Sequence, residues 1–284
     1  MQYQAAQRGE VSPIQRIETP GWMHRQNASM LFTQVIVGIN AAVFVGMLVA
    51  GVQMLGNPSA EDLVRFGANF GPYTLSGQWW RLLSCVFLHG GLLHIAFNMW
   101  CLWDLGRLAE SIYGHLMFAA VYLVTGLTSS LASIFWNPFT LSVGASGAIF
   151  GIAGALIAAF YLGEFSLPRA AMSGMLRSVM LFVGYNLFFG AIVARTDNAA
   201  HVGGLLMGLI MGALIAKLAP RQDAVGRRIA ILLFGVLLVY CGAVYLQRSA
   251  RSGFHRQLGS LILPCIRQEC NSAVCRSPDR SLLT

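Results

Sequence analysis

Seven long apolar runs divide this chain, and each is long enough to cross a lipid bilayer as a helix. A membrane-spanning helix needs about 20 consecutive, mostly apolar residues. The chain is 56% hydrophobic and only 11% charged, whereas soluble domains carry roughly 25% charged residues. The sequence therefore predicts an all-α polytopic membrane protein with the lipid bilayer as its solvent. The predicted spans lie near 31–54, 90–108, 116–137, 145–163, 175–195, 200–217 and 229–247.

The basic residues lie between the apolar runs, and their placement predicts an orientation. The net charge is +8, but the charges form no single basic face, so we expect no nucleic-acid partner. With the N-terminus inside, the predicted inner segments hold ten Lys or Arg residues and the outer loops hold three. Basic residues favour the cytoplasmic side, so we predict a cytoplasmic N-terminus. Six arginines after residue 247 oppose this orientation, and we give the earlier spans precedence.

The apolar runs also divide the chain into four predicted segments. Residues 1–29 lack the apolar core of a signal peptide, so we expect a cytoplasmic segment there and targeting by the first span. Residues 30–220 are the predicted six-helix membrane core, and 221–247 an extra transmembrane helix. Residues 248–284 are predicted to be a polar, flexible tail.

Three cysteines, Cys265, Cys270 and Cys275, lie at regular spacing in the predicted tail. Three is an odd number for disulfides, and no histidine follows at the spacing of a zinc finger. We interpret them as unstructured thiols, and we predict neither a metal site nor a cofactor.

Four polar side chains at membrane depth, His94, Asn98, Ser146 and His201, are the candidate functional residues. Each has an ordinary explanation by itself: a serine bonds to its own helix, a histidine is packed or carries protons, and an asparagine links helices. Polar groups at this depth are nevertheless costly and usually mark function. The predicted topology puts all four at similar depth near the outer surface, with His94 and Asn98 on one helical face.

Glycine faces on the fourth and sixth spans predict that Ser146 and His201 meet. Small residues allow two membrane helices to approach closely. His201 lies three residues before Gly204, so its ring is on the side of the sixth span that makes the close contact. The two faces consist of Gly147, Gly151 and Gly154, and of Gly204, Gly208 and Gly212.

A serine beside a histidine predicts nucleophilic catalysis. The serine hydroxyl is a weak nucleophile that needs an adjacent base, and His201 can take its proton and return it to the leaving amine. The predicted oxyanion donors are Asn98, His94 and the backbone N–H of Ser146. No acidic residue is placed to orient His201, so we predict a dyad. Gly144 keeps the approach to the serine uncrowded.

Short motifs between Ala60 and Gly212 occur in an order that resembles a known family. The motifs are WR at Trp80–Arg81, H-x4-H-x3-N at His89, His94 and Asn98, GASG at 144–147, and AH-x2-G-x3-G from Ala200 to Gly208. Together they resemble the rhomboid intramembrane serine proteases. The resemblance implies a six-helix core around a water-accessible dyad, with the last span as a seventh helix. It matches Ser146 to the nucleophile, His201 to the base, and His94 and Asn98 to the oxyanion site.

Two residues depart from the usual pattern of the family. Phe150 stands where family members often have tyrosine. We expect its ring to stack against His201 and activity to survive without the hydroxyl. Gln78 replaces the glutamate that some members have before the WR motif, and this changes the expected hydrogen bonding of the loop.

The resemblance implies an intramembrane serine endopeptidase that cleaves single-pass transmembrane proteins near the outer surface. We expect it in the inner membrane of a bacterial cell. One alternative is a catalytically inactive rhomboid-like binding protein, although such relatives are expected to have lost the dyad. Another is a transporter, but the paired broken helices of an inverted repeat are not evident in this sequence.

Overall fold

The computed structural model describes residues 30–163, 169–192, 196–221 and 223–271. These residues are predominantly helical, and within them the only β pairing is an isolated bridge between Asn69 and Ser142. The α-helices are α1 (Leu31–Val49), α2 (Ala60–Phe66), α3 (Gly71–Leu75), α4 (Arg81–Ser84), α5 (Leu92–Tyr113), α6 (His115–Trp136), α7 (Ser146–Leu162), α8 (Arg169–Ile192), α9 (Asn198–Leu218) and α10 (Val225–Asn271).

The prediction of an all-α polytopic membrane protein is confirmed. Among the described residues, five helices are long and apolar enough to cross a membrane, namely α1, α6, α9 and the apolar parts of α8 and α10. A sixth crossing follows if the pair formed by residues 81–87 and α5, bent by 91°, counts as one span. Helix α7 is apolar but shorter. Each predicted span overlaps one of the seven helices α1 and α5 to α10.

The last helix is longer than its apolar run. That run ends before Arg248, where the predicted polar tail begins, and α10 continues to Asn271. Hydropathy indicates where a membrane span ends, and it does not indicate where the helix ends. The stretch after 247 contains good helix formers such as Arg, Leu and Gln, but it also contains Gly253, Gly259 and Pro264, so helix propensity alone does not explain the length of α10. Residues 1–29 and 272–284, including Cys275, lie outside the described residues, and the four-segment division stays a prediction.

Helix α7 is the centre of the bundle. Thirteen of its 17 residues are buried, as expected of a helix that is apolar on all sides. Glycines bring α9 against it: a Cβ on Gly204 would overlap the carbonyl oxygen of Gly147, and one on Gly208 would overlap that of Gly151. The two backbones therefore lie in contact, which only glycine permits.

The region between α1 and α4 is tied to the segment that precedes α7. Asn69 and Ser142 exchange backbone hydrogen bonds of 3.0 and 2.9 Å. The buried guanidinium of Arg81 donates to the carbonyl oxygens of Val64 and Ala68, and its Nε donates to Oε1 of Gln78 at 2.7 Å. The acceptor for the Nε–H of Arg81 in this chain is therefore the neutral side-chain amide of Gln78. These contacts brace the loop beside residues 142–146.

A buried carboxylate anchors the start of α1. Glu110, near the end of α5, accepts hydrogen bonds from the backbone N–H groups of Phe32 and Thr33 and from the Thr33 hydroxyl. It also contacts His115. First-turn N–H groups have no acceptor within their own helix, so Glu110 caps α1 from a neighbouring helix and fixes the two helices relative to each other.

Candidate active site

Ser146 is the first residue of α7 and follows a tight turn at Gly144. The φ angle of Gly144 is +121°, a conformation that favours glycine, and its N–H donates to the carbonyl oxygen of Cys85 at 2.9 Å. The backbone N–H groups of Ser146 and Gly147 lie in the first turn of α7, where they have no acceptor in the helix. Two backbone donors and the positive end of the helix dipole are therefore beside the Ser146 hydroxyl.

His201 contacts this hydroxyl from the first turn of α9. Its Nε2 lies 2.9 Å from the Oγ of Ser146, and the imidazole is buried. The glycine contacts between α7 and α9 bring these two residues together although they are 55 positions apart. The structure thus joins the two residues that the sequence analysis singled out as nucleophile and base.

Asp197 is a residue that the sequence analysis missed. Its side chain caps α9 by accepting a hydrogen bond of 3.0 Å from the N–H of Ala200, and its carbonyl oxygen accepts from the N–H of His201. The signal was present, because Asp is a preferred N-cap residue. Among the described residues, no hydrogen bond joins a carboxylate to His201, and its Nδ1 has no partner. Asp197 therefore positions the helix turn that carries His201.

Phe150 forms one wall of the imidazole site. Its ring is stacked on that of His201, with centroids 4.3 Å apart and an interplanar angle of 4°. Phe150 is itself buried and contacts the ring of Phe182 on α8. The stacking holds the imidazole plane in the orientation that directs Nε2 at Ser146.

His94 presents its Nε2 edge to the turn before Ser146. Its Nδ1 accepts a hydrogen bond of 3.1 Å from the N–H of Gly90, so in the neutral ring the proton is on Nε2. A Cβ at Gly144 would lie 2.9 Å from this Nε2. The absence of a side chain at residue 144 therefore leaves an N–H donor directed at the space beside the serine.

Asn98 lies one turn further along α5. Its amide nitrogen donates to the carbonyl oxygen of His94 at 2.9 Å, which leaves its second N–H available. The structure gives no hydrogen bond between Asn98 and Ser146. The amide of Asn98 therefore lies near the site and is held by His94. Within the described residues, no three His, Cys, Asp or Glu side chains gather as metal ligands would.

Comparison with known proteins shows the family to which the chain is similar. The family model of the Rhomboid domain matches residues 76–218, which include every candidate site residue. The chain is 34% identical over 232 residues to the rhomboid protease GluP of Bacillus subtilis, covering 82% of this chain and 43% of that protein. It is 30% identical over 207 residues to the rhomboid protease AarA of Providencia stuartii, covering 64% of this chain and 72% of that protein.

A plant relative extends the same likeness. RHOMBOID-like protein 5 of Arabidopsis thaliana is 35% identical over 174 residues, covering 61% of this chain and 55% of that protein. The chain spans about half the length of the first curated relatives it matches. The matched domain, the order of the motifs and the multi-pass helical fold lead to one conclusion: this chain belongs to the rhomboid family.

Proposed function

We propose that this multi-pass membrane protein is a serine endopeptidase that cleaves single-pass transmembrane proteins within the bilayer. The observation that carries the proposal is the hydrogen bond of 2.9 Å between the Ser146 Oγ and the His201 Nε2. A serine becomes an effective nucleophile when an adjacent base can take its proton. The names of the bacterial relatives, both rhomboid proteases, support the same activity.

The proposed reaction is acyl transfer through the serine. The Ser146 Oγ attacks the scissile carbonyl carbon while Nε2 of His201 accepts its proton. The developing oxyanion is stabilised by the backbone N–H of Ser146, the Nε2–H of His94 and the free N–H of Asn98. His201 then donates its proton to the leaving amine. Water attacks the resulting ester by the reverse proton transfers and releases the second product.

The length of α7 supports a reaction below the membrane surface. Its 17 residues span about 25 Å, whereas the hydrocarbon core of a bilayer is about 30 Å thick. Helix α7 begins at Ser146 and is shorter than the hydrocarbon core. The serine can therefore lie at shallow depth below the membrane surface. With a cytoplasmic N-terminus, this end of α7 faces the outer side of a bacterial inner membrane.

Labelling with a serine-directed fluorophosphonate tests the proposal most directly. We expect the wild type to be labelled and the Ser146→Ala variant to remain unlabelled, because the reagent forms a bond only with an activated hydroxyl. Ser178→Ala, which removes an exposed hydroxyl on α8, is the matched control. An unlabelled wild type would favour the inactive binding protein, and equal labelling of Ser146→Ala would reject Ser146 as the nucleophile.

The stacking of Phe150 predicts an order among its variants. We expect Phe150→Ala to lose more cleavage activity than Phe150→Tyr, because tyrosine keeps the ring that supports His201. An aromatic contact contributes about 0.5–1.5 kcal/mol, so the alanine variant should lose up to about tenfold in kcat/KM. Cleavage of a membrane-embedded reporter measures both rates. A larger loss in Phe150→Tyr would reject the stacking role.

Asn98 is expected to act chiefly on turnover. Removing one main oxyanion donor lowers kcat by about 10²–10³-fold, so Asn98→Ala should show that loss at nearly unchanged KM. Thermal unfolding of the variant serves as the control for folding, since the amide also bonds to the carbonyl oxygen of His94. An unchanged kcat would leave oxyanion stabilisation to His94 and the Ser146 backbone.

A further inference from the structure

A groove of about 430 Å³ lies between the end of α9 and the start of α10. Two cations, Lys217 and Arg227, stand on its lining. The apolar part of the lining includes Leu214, Leu218, Ile231 and Phe234. About 24 Å of helix separates Lys217 from His201, at a rise of 1.5 Å per residue. The groove is therefore distinct from the candidate active site.

Neither cation in the groove forms an ion pair with another described residue. Asp223, in the connection between the two helices, forms an ion pair of 3.2 Å with Arg221. In the part of the chain that the structure describes, no carboxylate lies within ion-pair distance of Lys217 or Arg227. Both are exposed. The neighbouring Arg228 is buried and donates to backbone carbonyl oxygens instead.

The two basic side chains lie at one end of the groove, and the apolar side chains continue from them along α10. Lys217 is in the last turn of α9 and Arg227 in the first turn of α10. From Arg227 to Phe234, α10 rises about 10 Å toward the middle of the apolar helix. A ligand that fits must therefore be anionic at one end and apolar along the other.

We infer that this groove binds one anionic phospholipid. Its phosphodiester lies between Lys217 and Arg227, and the first part of an acyl chain lies along Leu218, Ile231 and Phe234. Basic pockets between transmembrane helices are characteristic sites for anionic lipid headgroups. The predicted orientation puts this end of α9 in the cytoplasmic leaflet. A zwitterionic lipid carries its own cation, which offsets the charge of its phosphodiester, so it should bind the two side chains more weakly.

Native mass spectrometry of the full chain in detergent, with added phosphatidylglycerol or phosphatidylcholine, tests the site. We expect the wild type to retain one phosphatidylglycerol under conditions that remove phosphatidylcholine. Lys217→Gln and Arg227→Gln should each lower this occupancy about fivefold, the factor typical of one basic side chain at an anionic surface, and the double variant about 25-fold. Inorganic phosphate in excess should not displace the lipid, because it lacks the acyl chain.

The matched control is the double variant Arg107→Gln/Arg177→Gln. It removes two exposed arginines that are outside the groove and on the same predicted side, and it should retain phosphatidylglycerol as the wild type does. Equal retention by the Lys217→Gln/Arg227→Gln variant would overturn the site. Equal losses in both double variants would indicate attraction by net charge alone, and displacement by inorganic phosphate would reject the acyl-chain contact.

Discussion

Replacing Ser146 with alanine is expected to abolish cleavage of a transmembrane reporter. In serine proteases, removal of the nucleophile or of its base lowers kcat by about 10⁶-fold. His201→Ala should have an equally large effect, because the hydroxyl and the imidazole are joined by the hydrogen bond of 2.9 Å and act as one unit. The double variant should therefore be no worse than either single variant. Reporter cleavage in proteoliposomes measures all three.

The loss must be separated from unfolding. Ser146→Ala removes one hydrogen bond, which contributes about 1 kcal/mol to stability, so helix content and thermal unfolding in detergent should change little. Ser178→Ala is again the matched control and should cleave as the wild type does. Residual cleavage by Ser146→Ala above the background of empty vesicles would contradict the proposed mechanism. Additive losses in the double variant would show that the two residues act independently.

The membrane fold was predictable from the sequence because the bilayer imposes a simple requirement. A helix that crosses hydrocarbon must carry about 20 apolar residues, and runs of that kind are visible in the sequence. Helix ends were less predictable, because hydropathy indicates which residues lie in the lipid and does not indicate where the helical backbone conformation ends. Thus α1 ends at Val49, followed by Gly51 at a φ of +87°, although the apolar run continues to residue 54. At the other end, α10 continues beyond Arg248.

The pairing of Ser146 with His201 was predictable because glycine faces indicate which membrane helices touch. Contacts made by long polar side chains were not. Glu110 looks like an ordinary charge at the end of a span, yet it caps α1. Arg81 was recognised within a motif. Its hydrogen bonds to two loop carbonyl oxygens depend on the course of the loop, which has no periodic sequence pattern. Such contacts follow from tertiary placement and leave no pattern in the sequence.

Gly204→Ala should markedly lower reporter cleavage, although it removes neither Ser146 nor His201. A Cβ at residue 204 would overlap the carbonyl oxygen of Gly147, which lies next to the serine, so α9 must move away from α7. Overpacking of this kind costs about 1–3 kcal/mol or more. A displacement of about 1 Å at the reacting groups can lower the rate by about 10²-fold. We therefore expect both a lower midpoint of thermal unfolding and a large loss of reporter cleavage.

Gly184→Ala separates the helix contact from any general effect of adding a methyl group. Gly184 is in α8, and nothing lies within 4 Å of the position its Cβ would occupy. Since alanine is the better helix former by about 1 kcal/mol, this variant should be as stable as the wild type or more so, and it should remain active. If Gly204→Ala behaved in the same way, the glycine contact would not be what brings His201 to Ser146. Loss of fluorophosphonate labelling in Gly204→Ala, with Ser146 and His201 both still present, would instead show that the reactivity of the serine depends on the distance between the two helices.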